Sequence, residues 1–522
     1  MSDEPQSKSD IRDATLRGLR WIVVARPVVE VMLIGSMVVL ARLIPPAEFG
    51  HFAVATLISG LGVVSAAAVT TALTQRPELT RAHQQAGVAL ALLGGAVLFV
   101  LTLIAADTIV TPAFGARTAY LVRISSAGTL IAAFGAVPMA TLQRRLEFRR
   151  LSVIDVASSA WRAFGSVGLA LAGLSGTAMV IGVVGGVAVS TALSCVWAHP
   201  PMPRLSRKPV REVLDYGMPA WMAAVSWIGF QNCDYAIVGA RLGAVQAGYY
   251  FRAYTLGVEY QKKVSQVMAT VGFPVLARSR SNAEMSELRA HMVRLLTVWL
   301  FPLLALLAIV APVAVPWLFG AEWGPAVAPT QVLVIGGAAT LVIDAVGAAL
   351  MAEGRARALL GFGWAHFATY GAAVFVTAPL GLTAVATSAA VVHSAFVIVA
   401  YALMARTGGL EVIRRLWADI APAMVSCAAL VAAALPTSMA MTAVHAPAFL
   451  DLAAVTLAAA TGYLAVLRLR FPAMWASTVA LVGHLLPQRA RRRQAATATH
   501  ELAVPGSVET YADPAALVSA ER

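Results

Sequence analysis

The sequence predicts an all-α polytopic membrane protein, and three observations carry that prediction. Composition is the first: 59% of the 522 residues are apolar and only 12% are charged, with a mean hydropathy of +0.76, whereas soluble domains carry about 25% charge. The second is run length. Stretches of about 20 apolar residues, enough for a helix to cross the hydrocarbon layer, recur along the whole chain, while barrel strands would be about half as long and alternate in polarity. The third is the placement of the 39 Lys and Arg, which fall in alternate loops.

Spans begin near Trp21, His51, Gln85, Ala119, Leu151 and Gly176, then near Val213, Ala247, Met292, Pro329, Ala358, Gly381, Asp419 and Phe449, fourteen candidates in all. With the N-terminus in the cytoplasm, the inner loops hold Arg17 and Arg20, Arg76 and Arg81, Arg144 to Arg150, Arg204 to Arg211, Arg278 to Arg294, Arg355 and Arg357, Arg406 to Arg415, and the tail from Arg468. The opposite loops hold only Arg42, Arg117 and Arg241. The positive-inside rule produces this bias. It predicts a multi-pass protein of the cell (plasma or inner) membrane with both termini cytoplasmic, and it accounts for the net charge of +13 without a nucleic-acid partner. Cys195, Cys233 and Cys427 are scattered in or near apolar spans and predict no disulfide framework. Span one is too long for a signal-peptide core and is expected to stay as an anchor.

Residues 1–20 are polar, with Ile11, Leu16 and Leu19 near helical spacing, and are read as a short helix at the inner surface. Pro45 and Pro46 end the first span and Gly50 permits entry into the second. Spans three and four meet across 107–115, and spans nine and ten across 318–324. Ala41-Arg42-Leu43 with Gly50-His51-Phe52 is echoed by Ala240-Arg241-Leu242 with Gly248-Tyr249-Tyr250, and the 107–115 turn by that at 318–324. Offsets of about two hundred residues between spans of one direction indicate a parallel repeat. The organisation expected is a cytoplasmic segment 1–20, a first lobe 21–198, a linker 199–212, a second lobe 213–468, an interfacial basic segment 469–493 and a disordered tail 494–522. In the basic segment Trp475, Val479, Val482 and Leu486 share a helical face ahead of Arg489, Arg491, Arg492 and Arg493, which suits anionic lipid.

The phrases ARLIPPAEFGHFA at 41–53, PMATLQRRLEFRRLSVIDV at 138–156, NCDYAIVGARLGAVQAGYYFRA at 232–253 and FPVLAR at 273–278 resemble the polysaccharide exporters of the multidrug/oligosaccharidyl-lipid/polysaccharide (MOP) flippase superfamily, in the teichuronic- and colanic-acid exporter branch. The resemblance runs from about residue 15 to 405 and weakens over the last two spans. It implies about 14 transmembrane helices in two parallel-repeat lobes of seven around a central cavity open alternately to either side. It also implies a substrate, a polyprenyl-(pyro)phosphate-linked oligosaccharide flipped to the outer leaflet for surface polysaccharide biosynthesis. Partners would be membrane lipids and polymerase or glycosyltransferase machinery. The family has no strict catalytic signature, so the site rests on intramembrane charge.

Ionisable groups inside spans are costly and are kept where they pair or function. Span one has Arg26 and Glu30, four apart on one face; span four has Arg123; span five has Asp155 and Arg162, seven apart. Span eight has Arg252, Glu259, Lys262 and Lys263, in which Glu259 is expected to pair with Lys263. Each arginine is open to two readings, a self-neutralising structural pair or a guanidinium fork for pyrophosphate. Asp234 and Asp344 are candidate Na+ or H+ coupling groups, with a hydrogen-bonded helix end as the alternative for Asp234. The aromatics Trp221, Trp227, Phe230, Tyr249, Tyr250, Phe251 and Tyr254 suit an interfacial belt or sugar stacking. His366 and His393 read as separate packed polar groups, and Ser65, Thr70 and Thr71 as bonded to backbone carbonyls. No metal or other cofactor and no enzyme activity is expected: the outer loops are short and poor in Arg and in His/Glu pairs, and no GxxxxGK phosphate loop is present. The rival is a cation-coupled drug or metabolite antiporter of the same superfamily; a peptidoglycan-precursor flippase is disfavoured by the loop phrases.

Overall fold

The computed structural model describes residues 8–76, 78–262, 282–353, 355–405 and 410–485. All regular structure among them is helical, and nine helices are long and apolar enough to cross a membrane. Lys263, the FPVLAR phrase at 273–278 and the basic run from Arg489 lie outside the described residues.

The first helix, α1, runs unbroken over Lys8–Leu43. From Lys8 on, the segment expected as a short helix at the inner surface is continuous with the helix of the first expected span, since no proline interrupts residues 8–26. Pro45 and Pro46 end α1 and start α2, Pro46–Gln75. Helix α3 (Arg81–Ala105) passes through a π turn, Ala106–Val110, into α4 (Thr111–Arg144), which breaks at Gly115 where φ is 84°. Helix α5 (Phe148–Ala160) continues through a second π turn, Trp161–Gly165, into α6 (Ser166–Leu171), and α7 covers Gly176–Trp197. Two expected spans join in α8, Arg207–Tyr254, broken at Gly243, and a third π turn follows at Thr255–Glu259. Beyond it come α9 (Asn282–Phe319), α10 (Val327–Ala352), α11 (Ala356–Thr377), α12 (Leu382–Ala405), α13 (Leu410–Ala443) and α14 (Ala448–Arg470). From Leu464 onward the chain is a separate compact unit, whose described part holds the end of α14 and the helix α15, Pro472–Leu485, on the segment read as interfacial.

Helices α2 and α8 pack against each other antiparallel along their length. At one end, called here the proline end, a Cβ on Gly50 would lie 1.8 Å from the Ala244 carbonyl oxygen, and one on Gly248 would lie 1.9 Å from that of Pro46. The two glycines that echo each other in sequence thus face each other's turns, and only a missing side chain lets the backbones meet. At the opposite end, Arg76 and His83 bond Glu212 at 2.8 and 2.7 Å. Arg144 there donates to the Leu73, Thr74 and Arg76 carbonyls that end α2, and Arg355 donates to Leu403 near the end of α12. Basic residues of these loops thus satisfy helix C-termini. Ser65, Thr70 and Thr71 bond helix carbonyls as expected.

Candidate functional site

Three turns meet at the proline end. Arg42 donates to the Trp317 and Leu318 carbonyls, Trp323 Nε1 donates to the Ala41 carbonyl at 2.9 Å, and Arg117 forks onto Glu48 at 2.8–3.2 Å. Arg241 lies over Phe375 at 3.9 Å. All three arginines of the loops poor in basic residues are therefore committed to contacts at this end. Arg252 sits behind them, 0% exposed, with its guanidinium 4.8, 4.4 and 4.7 Å from the ring centres of Phe49, Phe319 and Trp323. None of its nitrogens has a hydrogen-bond partner among the described residues. Cation–π contacts reach about 2 kcal/mol each when desolvated, and an unpaired buried charge costs several. The cage is therefore close to balance.

A second group joins α1, α5 and the 255–259 π turn. Arg26 bonds Glu30 at 3.1 Å and reaches Asp155 at 4.0 Å, so one arginine bridges the two helices. Arg162 lies on the π turn of α5. The residue is exposed at the protein surface, although protein crowds the side chain on most sides. The charges acting on it are Asp155, Glu259 and Glu30, yet no ion pair or hydrogen bond joins its side chain to a described residue. Gly186 of α7 makes room for it, since a Cβ there would sit 2.5 Å from Arg162 Cγ. The Asp155–Arg162 pair expected from spacing does not form. The π turn that opens at Trp161 breaks the regular helical ladder at Arg162, and Asp155 faces Arg26 instead.

A third group fills the space between α8, α10, α11 and α12. Asp234 is 0% exposed; its Oδ2 accepts from Tyr250 Oη at 3.0 Å and Tyr370 Oη at 2.7 Å, and its Oδ1 from the Tyr235 N–H at 2.9 Å. Lys262 donates to Tyr254 Oη at 2.6 Å and acts on Asp234, Asp344 and Glu259. His366 Nε2 and His393 Nδ1 are 3.0 Å apart, and His393 lies against Tyr370 with ring centres 4.8 Å apart.

Several expected placements differ. Arg252 is caged by rings and not presented as a phosphate fork, because the hairpins echoed in the repeat close over it. Arg123 pairs with Asp107 of the first π turn and has no bond to the Arg26 group among the described residues. The Glu259–Lys263 pair cannot be placed, since Lys263 lies outside the described residues; Glu259 acts instead on Arg162 and Lys262. Tyr250 and Tyr254 form neither a belt nor an open stacking face, because they pack with Tyr235 inside α8 and its neighbours. His366 and His393 are a pair. Sequence reasoning missed the Glu48–Arg117 fork and Trp323; both belong to the repeated turns, but nothing local marks a contact between residues 69 or 282 positions apart.

Comparison with known proteins fits this architecture. The chain is 27% identical over 369 residues to the lipopolysaccharide biosynthesis protein WzxC of Escherichia coli (strain K12), covering 66% of this chain and 71% of that one. It is 27% identical over 325 residues to the teichuronic acid biosynthesis protein TuaB of Bacillus subtilis (strain 168), covering 59% and 65%. Among solved structures it superposes on the lipid II flippase MurJ in an inward closed conformation with a TM-score of 0.70, at 12% identity over 87% of this chain and 99% of that one. An inward-facing multidrug resistance MATE family transporter of the MOP superfamily gives 0.57, at 14% identity over 74% and 95%. These likenesses establish the MOP transporter fold. Residues 39–328, more than half of the sequence, match the family described as polysaccharide biosynthesis protein, and the chain belongs to that family.

Proposed function

We propose that the protein flips a polyprenyl-(pyro)phosphate-linked oligosaccharide from the inner to the outer leaflet of the cell membrane by alternating access, with both termini cytoplasmic and some fourteen spans arranged as two lobes. The observation that carries the reading is Arg162, an exposed arginine beside Asp155, Glu259 and Glu30 that forms no ion pair with a carboxylate among the described residues. Its planar fork matches a pyrophosphate in two-pronged fashion, and Arg26, already shared between Glu30 and Asp155, has donors to add. The relatives named for lipopolysaccharide and teichuronic acid biosynthesis, and the lipid II flippase with the same fold, support a lipid-linked glycan as cargo. In this reading the proline end faces outward and is shut, the pyrophosphate enters from the cytoplasm to Arg162 and Arg26, and the prenyl tail stays in lipid. Asp234 and Asp344 belong to an ion-coupling site. The flipped product passes to a polymerase or glycosyltransferase.

The test is flipping of a fluorescent polyprenyl-pyrophosphate oligosaccharide in proteoliposomes. The wild type is expected to expose the glycan outside, and Arg162→Ala to do so at about a tenth of the rate or less, a barrier change of about 1.4 kcal/mol, with an unchanged melting temperature. No flipping by the wild type, with several lipid-linked glycans tried, would refute the reading.

A further inference from the structure

The proline end carries a concavity of its own, away from the arginines of the first lobe. It has a volume of about 470 Å3 and is lined by Arg42 and by residues of the 316–322 turn, with Phe319 among them. Small-molecule sites span about 300–1,000 Å3. The walls are fixed in place. Gly320, at φ 113°, turns the chain back; its N–H donates to the Pro316 carbonyl at 2.9 Å, and the buried Trp323 ties the turn to the Ala41 carbonyl.

Three groups around this space are uncommitted. Arg42 gives Nε to the Leu318 carbonyl and Nη2 to that of Trp317, while its Nη1 has no hydrogen-bond partner among the described residues. The exposed Trp317 indole N–H and the exposed Glu322 carboxylate likewise make no hydrogen bond or ion pair among the described residues. An indole face is electron-rich and attracts the C–H face of a sugar ring. A carboxylate accepts from neighbouring hydroxyls, and a guanidinium edge donates to a hydroxyl or ring oxygen. A phospholipid headgroup is the competing occupant, since tryptophan concentrates at membrane interfaces. Its phosphate would meet the Glu322 carboxylate as a like charge, whereas a neutral sugar uses all three groups.

The position of the pocket adds a consequence. Arg42 and the turn it grips lie 276 positions apart, so the pocket exists only while the two turns are docked. A ligand that binds one state alone favours that state by mass action.

We propose that this pocket is a saccharide subsite, in which a sugar of the exported glycan stacks on Trp317 and hydrogen-bonds Glu322 and Arg42, and that a sugar held there keeps the proline end shut. This rests on the flippase reading, in which the proline end faces outward. Glycan accumulating outside then slows further delivery.

The test uses the full-length protein in nanodiscs and the free oligosaccharides that match the lipid-linked glycans of the flipping assay. Saturation-transfer NMR should show ring C–H signals of a bound sugar in the wild type. The signals should be lost in Trp317→Leu and in Glu322→Gln, each with a wild-type melting temperature because both side chains are exposed. No saturation with any of the sugars, saturation kept in both variants, or displacement of the sugar by glycerophosphoethanolamine, a soluble lipid headgroup, would overturn the subsite. In proteoliposomes, free sugar added outside at about nine times its dissociation constant should slow wild-type flipping about tenfold and leave the flipping rate of Glu322→Gln where it is without sugar. Wild-type flipping indifferent to the sugar overturns the proposal and leaves the flippase intact. Sugar binding that depends on Trp317 and Glu322, with no glycan flipped, supports the subsite and overturns the flippase reading alone.

Discussion

Arg162 and Arg252 are the same residue type, each in a helical segment read as spanning the membrane, and the fold gives them opposite surroundings. Arg162 is exposed, with three acidic neighbours acting on it, whereas Arg252 is enclosed by three rings. Arg162→Lys should retain part of the flipping lost in Arg162→Ala, because a point charge replaces the bidentate fork; equal loss in both would mean that planar geometry decides everything. Removing the cage's charge should act differently. Arg252→Leu is expected to leave the melting temperature unchanged or raised, since a well-packed apolar residue in place of a buried unpaired charge is neutral or stabilising, while turnover falls because the closed end is held more firmly. Phe49→Ala should cost about 3 kcal/mol and open the cage, measured by thermal unfolding and by external thiol labelling at an introduced Tyr249→Cys. Residue types at both sites were readable from the sequence as intramembrane charges. Their partners were not, because Phe49, Phe319 and Trp323 are brought to Arg252 only by tertiary packing.

Each of the three π turns among the described elements carries one ionisable side chain: Asp107, Arg162 and Glu259. A π turn shifts the helical register by one residue and often marks a functional position. That shift is why the spacing argument succeeded for Arg26 and Glu30, four apart on regular helix, and failed for Asp155 and Arg162. The paired turns at Gly50 and Gly248 were visible as a repeat, although their mutual contact was not. Gly248→Ala places a methyl group against the Pro46 carbonyl, so it should drive α2 and α8 apart at the proline end, raising labelling of introduced cysteines there and lowering thermal stability. At the other end Glu212, at the start of α8 on the segment read as a linker, has its carboxyl held below the usual range, first by the His83 hydrogen bond and then by Arg76. A depressed carboxyl contributes stability above its ordinary pKa of about 4.3 that is lost as pH falls through the lower folded value. The difference in melting temperature between wild type and Glu212→Gln should therefore be present at neutral pH and shrink as pH falls below about 4; a constant difference would assign the contact to packing.

At the scale of the molecule, the helical membrane class was legible because it is written in run length and loop charge, which are local or periodic signals. The grouping of charges was less legible, since it depends on which helices adjoin. The contacts at the proline end join residues from the first two hundred positions to residues beyond position 240: Gly50 to Gly248, Ala41 to Trp323, Phe49 to Arg252. If the protein works by alternating access, this end is one of two states and must part. The most direct measurement is the distance between spin labels placed on the 43–46 and 320–324 turns, taken in lipid with and without a polyprenyl-pyrophosphate oligosaccharide. Two distance populations, with the longer one growing as the lipid-linked substrate is added, are predicted; a single short distance unchanged by substrate, in a sample that flips it, would contradict the account.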